Sequence, residues 1–212
     1  MASSKISLLT AAGAAAATNE FGISEAGVSK KLTMAQIAAY HGSGGKFNAS
    51  IAAQGPGFAA DTYLTDSGIL IPAGALQVRS MYRCKFNIVK TGAGTATPII
   101  NVRFGTNGTT ADTSRGTLTH TAQTAVIDEG VYEFFATFRA IGASAVLQSL
   151  GRMTHRLVAT GFGNTAVSEP EIATSGTFDS GVANSIIGLS VNGGTSAAWT
   201  VSLVQAELFN LV

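Results

Sequence analysis

From residue 47 onward, apolar side chains recur at alternate positions in short runs, the period of a strand with one buried face. The runs 62–71, 77–90, 97–104, 117–127, 131–140, 144–158, 184–191 and 198–209 are predicted strands, with shorter pieces near 47–53 and 172–178 as additions. In Val131–Ile141 apolar residues fall on both faces, which predicts a central strand covered on each side. In the last run Trp199, Val201, Leu203, Gln205 and Glu207 share one face, and Val204, Ala206 and Leu208 the other. Thr106-Asn-Gly-Thr109, Asp128-Glu-Gly130 and Val191-Asn-Gly-Gly194 are expected to reverse the chain, because Asn and Gly tolerate positive φ. About eight strands at this spacing predict an all-β fold, an antiparallel jelly-roll-like β-sandwich.

The first 41 residues follow a different pattern and read as an N-terminal anchor. Phe21 to Ser29 reads as two short extended pieces around a turn at Ala26-Gly27. Thr33 is placed to cap a two-turn helix: Gln36 completes a capping box, and Ile37 with Tyr40 supplies a small apolar face. Residues 42–46, rich in Gly and Ser, read as a flexible joint, and 47–212 as the sandwich domain. Lys5 followed by Ile6, Leu8, Leu9 and the Ala-rich run to Ala17 has the outline of a secretory signal, but Ser7, Thr10 and Gly13 interrupt it. No run approaches the roughly 20 apolar residues of a membrane-spanning helix, so membrane insertion is not expected.

Composition adds an expectation of assembly. Charged residues make up 12% of the 212, about half the usual share, while glycine contributes 25 residues and mean hydropathy is +0.30. So few charges poorly coat a monomer, which points to surface buried between subunits. The 13 basic and 12 acidic residues are interspersed, leaving no electrostatic footprint for nucleic acid. Cys84 is the single cysteine, so no intrachain disulfide can form, and its place in an alternating run predicts a buried, inert thiol.

Motifs that carry catalysis or hold a cofactor are missing from the pattern. His41, His120 and His155 are scattered without metal-ligand spacing, and His155 reads as a surface or interface residue, so neither metal nor cofactor is expected. No Gly-x-Ser-x-Gly elbow supports a hydrolytic triad. Asp128-Glu129 reads as solvated charge in a turn, and Glu169 with Glu171 as an exposed loop around Pro170, rather than as an acid–base pair. The pieces Gly42–Gly45, Gly92–Gly94 and Gly161–Gly163 lack the Gly-Lys-Ser/Thr ending of a phosphate cradle. Trp199, Tyr63, Tyr82 and Tyr132 lie within alternating strands, where burial is favoured over a sugar-stacking platform.

Lys5-Ile-Ser-Leu-Leu9 followed by Gly27-Val-Ser-Lys-Lys-Leu-Thr-Met-Ala-Gln-Ile37 resembles the start of phage tail-fibre, head-fibre and related virion appendage proteins. The family pattern carries an acidic residue near its middle, for which Glu20 and Glu25 are the nearest candidates here. Lys90–Pro98, Arg103–Thr109 with Asp112, and Trp199–Leu208 are similar to the C-terminal β-domain of such proteins. The resemblance implies a homotrimer attached to phage capsid or tail proteins by its N-terminal segment, with the sandwich outward on the virion surface. Lys30, Lys31, Leu32, Met34 and Ile37 are the expected docking contacts. The chain lacks a long repetitive shaft, which favours a capsid decoration protein, head fibre or short tail appendage over an extended fibre. The alternative is a host-receptor or carbohydrate-binding module whose partner is a host surface glycan. A polysaccharide-degrading enzyme would need two converging carboxylates.

Overall fold

The computed structural model describes residues 20–25, 28–33, 45–163, 170–196 and 198–211. The chain divides into two compact units, Met1–Gly42 and Ser43–Val212. In the first, strands β1 (Glu20–Glu25) and β2 (Val28–Thr33) pair antiparallel, with Glu25 opposite Val28 and Glu20 opposite Thr33. This matches the two extended pieces expected around Ala26-Gly27. Thr33 ends β2, and the helix expected after it lies outside the described residues.

The described residues of the second unit form two antiparallel sheets. Its strands in chain order are β3 (Gly45–Ser50), β4 (Gln54–Gly57), β5 (Thr62–Tyr63), β6 (Ile69–Leu70), β7 (Leu76–Lys90), β8 (Ile99–Gly105), β9 (Thr113–Thr119), β10 (Asp128–Ala140), β11 (Val146–His155), β12 (Glu171–Thr174), β13 (Ile186–Asn192) and β14 (Trp199–Leu211). The large sheet has the order β12-β11-β10-β7-β14-β3, with β4 also on β14. The small sheet has the order β5-β13-β8-β9, with β6 also on β13. The chain thus alternates between sheets: β3 and β4 in the large one, β5 and β6 in the small, β7 large, β8 and β9 small, β10 to β12 large, β13 small, β14 large. Strand β3 opens at Gly45, inside the stretch read as a joint.

One apolar core lies between the sheets. Tyr82, Cys84, Phe86 and Ile88 of β7 and Tyr132, Phe134, Ala136 and Phe138 of β10 point into it, meeting Ile100, Val102 and Phe104 of β8 and Ile187, Leu189 and Val191 of β13. Phe104 bridges the layers, its ring centroid 6.1 Å from that of Phe138 and 5.1 Å from that of Phe178. Such tilted and edge-on pairs suit the ring quadrupoles. Cys84 is fully buried as expected, and desolvation raises its thiol pKa to about 12, which holds it as the unreactive neutral thiol.

Three expectations need correction. Strand β10 is central, between β7 and β11, but only one face is covered: Val131, Glu133, Phe135 and Thr137 on the other are half-exposed. Its doubly apolar pattern marks an outer face that keeps an aromatic. In β14 a bulge between Ser202 and Val204, with Leu203 at φ 53°, slips the alternation by one residue. Trp199, Val201, Val204, Ala206 and Leu208 therefore all reach the core, while Leu203 turns outward. The run 117–127 is not one strand, because β9 ends at Thr119 and the chain then folds over the core edge. There the Gln123 amide accepts from Trp199 Nε1 at 2.9 Å and donates to the carbonyls of Ala96 and Gly193, work that a regular strand residue could not do.

Candidate functional site

Three surfaces or centres carry polar chemistry. The first is a groove beside the small sheet, built on the turn that separates β5 from β6. Its backbone is held from behind. Leu64 N–H donates to Leu189 O, the Ser67 hydroxyl donates to Leu64 O at 2.7 Å and accepts from Leu189 N–H at 3.0 Å, and the Tyr82 hydroxyl donates to Ser67 O at 2.6 Å. From β4 the Gln54 amide makes a two-point pairing with the Thr65 backbone, at 2.9 and 3.0 Å. Asn48 of β3 donates to Gly68 O at 2.9 Å. The run 62–71 is thus two short strands around an anchored turn, with Asp66 in the left-handed region at φ 62°.

Opposite stands the 105–112 loop, gathered onto Asp112. Its carboxylate accepts from Asn107 N–H and Asn107 Nδ2 on one oxygen, both at 3.0 Å, and from Gly108 N–H on the other at 2.7 Å. Arg103 ties the base of the loop, donating to Thr110 O and Asp112 O and pairing with Asp61. Gly108 has φ 62° and passes against Ile186, where a Cβ would sit 3.2 Å from the Cδ1 atom. Between these walls lies a cleft of about 540 Å³ lined by Asn48, Tyr63, Asp66, Leu70, Asn107 and Ile186 among others. A second cleft of about 470 Å³ adjoins it, sharing Asn48, Gly68 and Leu70 and running toward Lys46 and Pro72. The Tyr63 ring covers Gly188, and its hydroxyl is buried without a partner among the described residues. Burial raises its pKa to about 12, reinforced by the Asp112 charge.

The second centre is Asp128, which is buried at the start of β10 rather than solvated in a turn. Its oxygens accept from Glu129 N–H, Leu157 N–H, Phe162 N–H and His155 Nδ1, the last at 2.7 Å. His155 is correspondingly a nearly buried partner of Asp128, not a surface residue, with a side chain 9% exposed. Lys90, directly across the strand pair from Asp128, is also buried and donates to Gly92 O and Val126 O. Burial lowers its pKa, with the Asp128 charge opposing the shift. Gly161 is required at φ 79°, since a Cβ there would land on the Asp128 carboxylate. Every oxygen of this carboxylate is committed to holding the 156–163 loop, so the arrangement is suited to anchoring rather than to proton transfer. Glu171, read as part of a loop, opens strand β12 opposite Gly151, and Glu169 lies outside the described residues.

The third surface is the outer face of the large sheet. One register line crosses it through Phe47, Glu207, Arg83, Phe135, Leu150 and Ile172. Leu150 is 37% and Ile172 62% exposed, so Phe135, Leu150 and Ile172 form an apolar run across β10, β11 and the edge strand β12. Beside it Glu133 pairs with both Lys85 and Arg152, at 3.4 and 3.1 Å, and Arg83 lies over the Phe135 ring. These pairings favour the ionised Glu133 and hold its pKa below the usual value against its partial burial.

Of the expected docking residues, Lys30, Lys31 and Leu32 lie in β2, opposite Ile23, Gly22 and Phe21, while Met34 and Ile37 lie outside the described residues. The sequence offered Asn107-Gly108 as a turn and Tyr63 as a strand aromatic, but singled out none of Asn48, Asp66, Leu70 or Ile186; the further signal available was the turn Asp66-Ser-Gly68. Among the described residues no cluster of three or more His, Cys, Asp or Glu side chains is placed to hold a metal, and no helix is long and apolar enough to cross a membrane.

No family model and no curated protein matches this chain. Among solved structures it is similar to the CBM2 module of the evolved Dit of Lactobacillus casei BL23 phage J-1, at 9% identity over 68% of this chain and 69% of that one, with a TM-score of 0.28. A superposition this loose assigns neither a fold nor an activity to the chain.

Proposed function

We propose that this is a non-enzymatic phage virion protein, a homotrimer that associates through the outer face of its large sheet and either decorates a head, as a capsid decoration protein or head fibre, or forms part of a short tail appendage. The observation that carries the reading is the exposed apolar run Phe135–Leu150–Ile172, which reaches the sheet edge in a chain with few charges to cover it. A ring of three joins one patch to a different patch on the next subunit, and the flanking Lys85–Glu133–Arg152 network supplies charges that orient such a contact. The phage assignment rests on the order of the motifs that resemble virion appendage proteins.

The strand order supports reading the sandwich as a jelly roll with β11 and β12 appended: β3-β14-β7-β10 faces β5-β13-β8-β9, the pattern of two interleaved Greek keys. The N-terminal segment is the docking element, with Lys30, Lys31 and Leu32 of β2, followed by Met34 and Ile37, meeting a capsid or tail protein.

Chemical cross-linking of Ile172→Glu tests the assembly. The wild-type protein should ladder to a trimer, and the variant should stop at the monomer with an unchanged far-ultraviolet circular dichroism spectrum, because Ile172 lies outside the apolar core of the sandwich. A wild-type ladder confined to the monomer would overturn the proposal.

A further inference from the structure

We infer that the groove between the Tyr63–Leu70 turn and the Asn107–Gly108 turn is a binding site for an uncharged oligosaccharide. The inference does not depend on the oligomeric state. Its walls are rigid before any ligand arrives, since Gln54, Ser67, Tyr82 and Asp112 fix both turns from behind. Binding then costs little further ordering of the chain.

What these anchors leave over faces the groove. The Asp66 carboxylate makes no hydrogen bond among the described residues, although its left-handed backbone position is fixed. Asn107 commits one amide hydrogen to Asp112 and keeps the other and its carbonyl oxygen. Asn48 likewise spends one amide hydrogen on Gly68 O and accepts from Ala49 N–H, with a second amide hydrogen remaining. A carboxylate between two amides is a set of acceptors and neutral donors matched to neighbouring hydroxyl groups, which present both.

The remaining lining is apolar: Leu70, 56% exposed, with Ile186 and the Tyr63 ring. Such side chains pack against the C–H face of a pyranose while the amides and carboxylate take its edge. Charge disfavours anionic ligands. A phosphate or uronate would meet the Asp66 carboxylate, and Lys46 in the adjoining cleft is the single cation among the two sets of lining residues. The two clefts adjoin through Asn48, Gly68 and Leu70, which gives room for more than one sugar ring.

The test is heteronuclear NMR of the isotope-labelled full-length protein titrated separately with maltohexaose, cellohexaose, chitohexaose and, as an anionic control, hexagalacturonate. At least one uncharged hexasaccharide should shift the amides of Asn48, Thr65 to Leu70 and Asn107 to Gly108, and the corresponding disaccharide should bind more weakly. Asp66→Asn, which tolerates the left-handed backbone, should weaken binding about tenfold through loss of a charge-assisted hydrogen bond. Leu70→Asp, at an exposed position, should abolish it without unfolding the protein. The inference is overturned if none of the uncharged probes shifts these amides, if the shifts map elsewhere, if the anionic control binds as well, or if both variants bind like wild type.

Discussion

Two loops of the sandwich are each gathered onto a single buried carboxylate. Asp128 draws in Leu157 N–H, Phe162 N–H and His155, while Asp112 draws in Asn107 N–H and Gly108 N–H. In the first the loop closes over the acid: Phe162 packs edge-on against Trp199, 5.4 Å between centroids, and Gly161 leaves no room beside the carboxylate. In the second the acid sits behind the loop, and the residues it fixes are turned to solvent, with Asn107 exposed and Gly108 half-exposed. The same hydrogen-bond chemistry completes the core in one place and shapes a surface in the other. What decides is whether an apolar side chain of the loop can reach the core, as Phe162 does and as nothing in Thr106–Ala111 can.

The largest effect should come from breaking the closed loop. Asp128→Ala strands the buried Phe162 N–H, the half-buried Leu157 N–H and the His155 ring and leaves Lys90 without its facing charge, so it should cost about 3 kcal/mol, read as a shifted urea midpoint at unchanged slope. Asp112→Ala should cost less, about 2 kcal/mol, because water reaches the N–H groups it releases. Faster amide exchange should then be confined to 105–112, since Arg103 still binds the loop base. Equal costs for the two would erase the distinction. Smallest and opposite in sign, Tyr63→Phe removes a buried hydroxyl that has no partner among the described residues and should raise stability by about 1 kcal/mol in the same denaturation assay.

Much of this fold is legible in the chain. The long runs of β7 and β11 announce themselves by their alternation, whereas β10, apolar on both faces, is legible as a strand but not as to which face the core covers. The start of β12 and the pairing of β1 with β2 follow from shorter signals of the same kind. The phase slip in β14 does not, since a bulge at Leu203 leaves no glycine or proline to mark it, and Leu203 continues the apolar pattern of Trp199 and Val201. The burial of Asp128 is hidden for a different reason. An acidic residue beside Glu129 and Gly130 has the local chemistry of a turn, and only a loop nearly 30 residues later brings the donors that make it a core residue. The groove was illegible in the same way, because Asn48, Asp66 and Asn107 come from three separate stretches that meet only through the sheet order. Of its supports, Ser67 falls inside the run 62–71 expected as one strand, and nothing in the sequence around Gln54 or Asp112 shows which backbone each will hold.

In the proposed homotrimer the outer face of the large sheet, with Phe135, Leu150 and Ile172, is covered by further copies of the chain. The most direct test is the mass of the unmodified protein in solution by light scattering across a dilution series. The account predicts a single species at three times the 21.5 kDa chain mass, persisting at micromolar concentration. A monodisperse monomer throughout the series would contradict it.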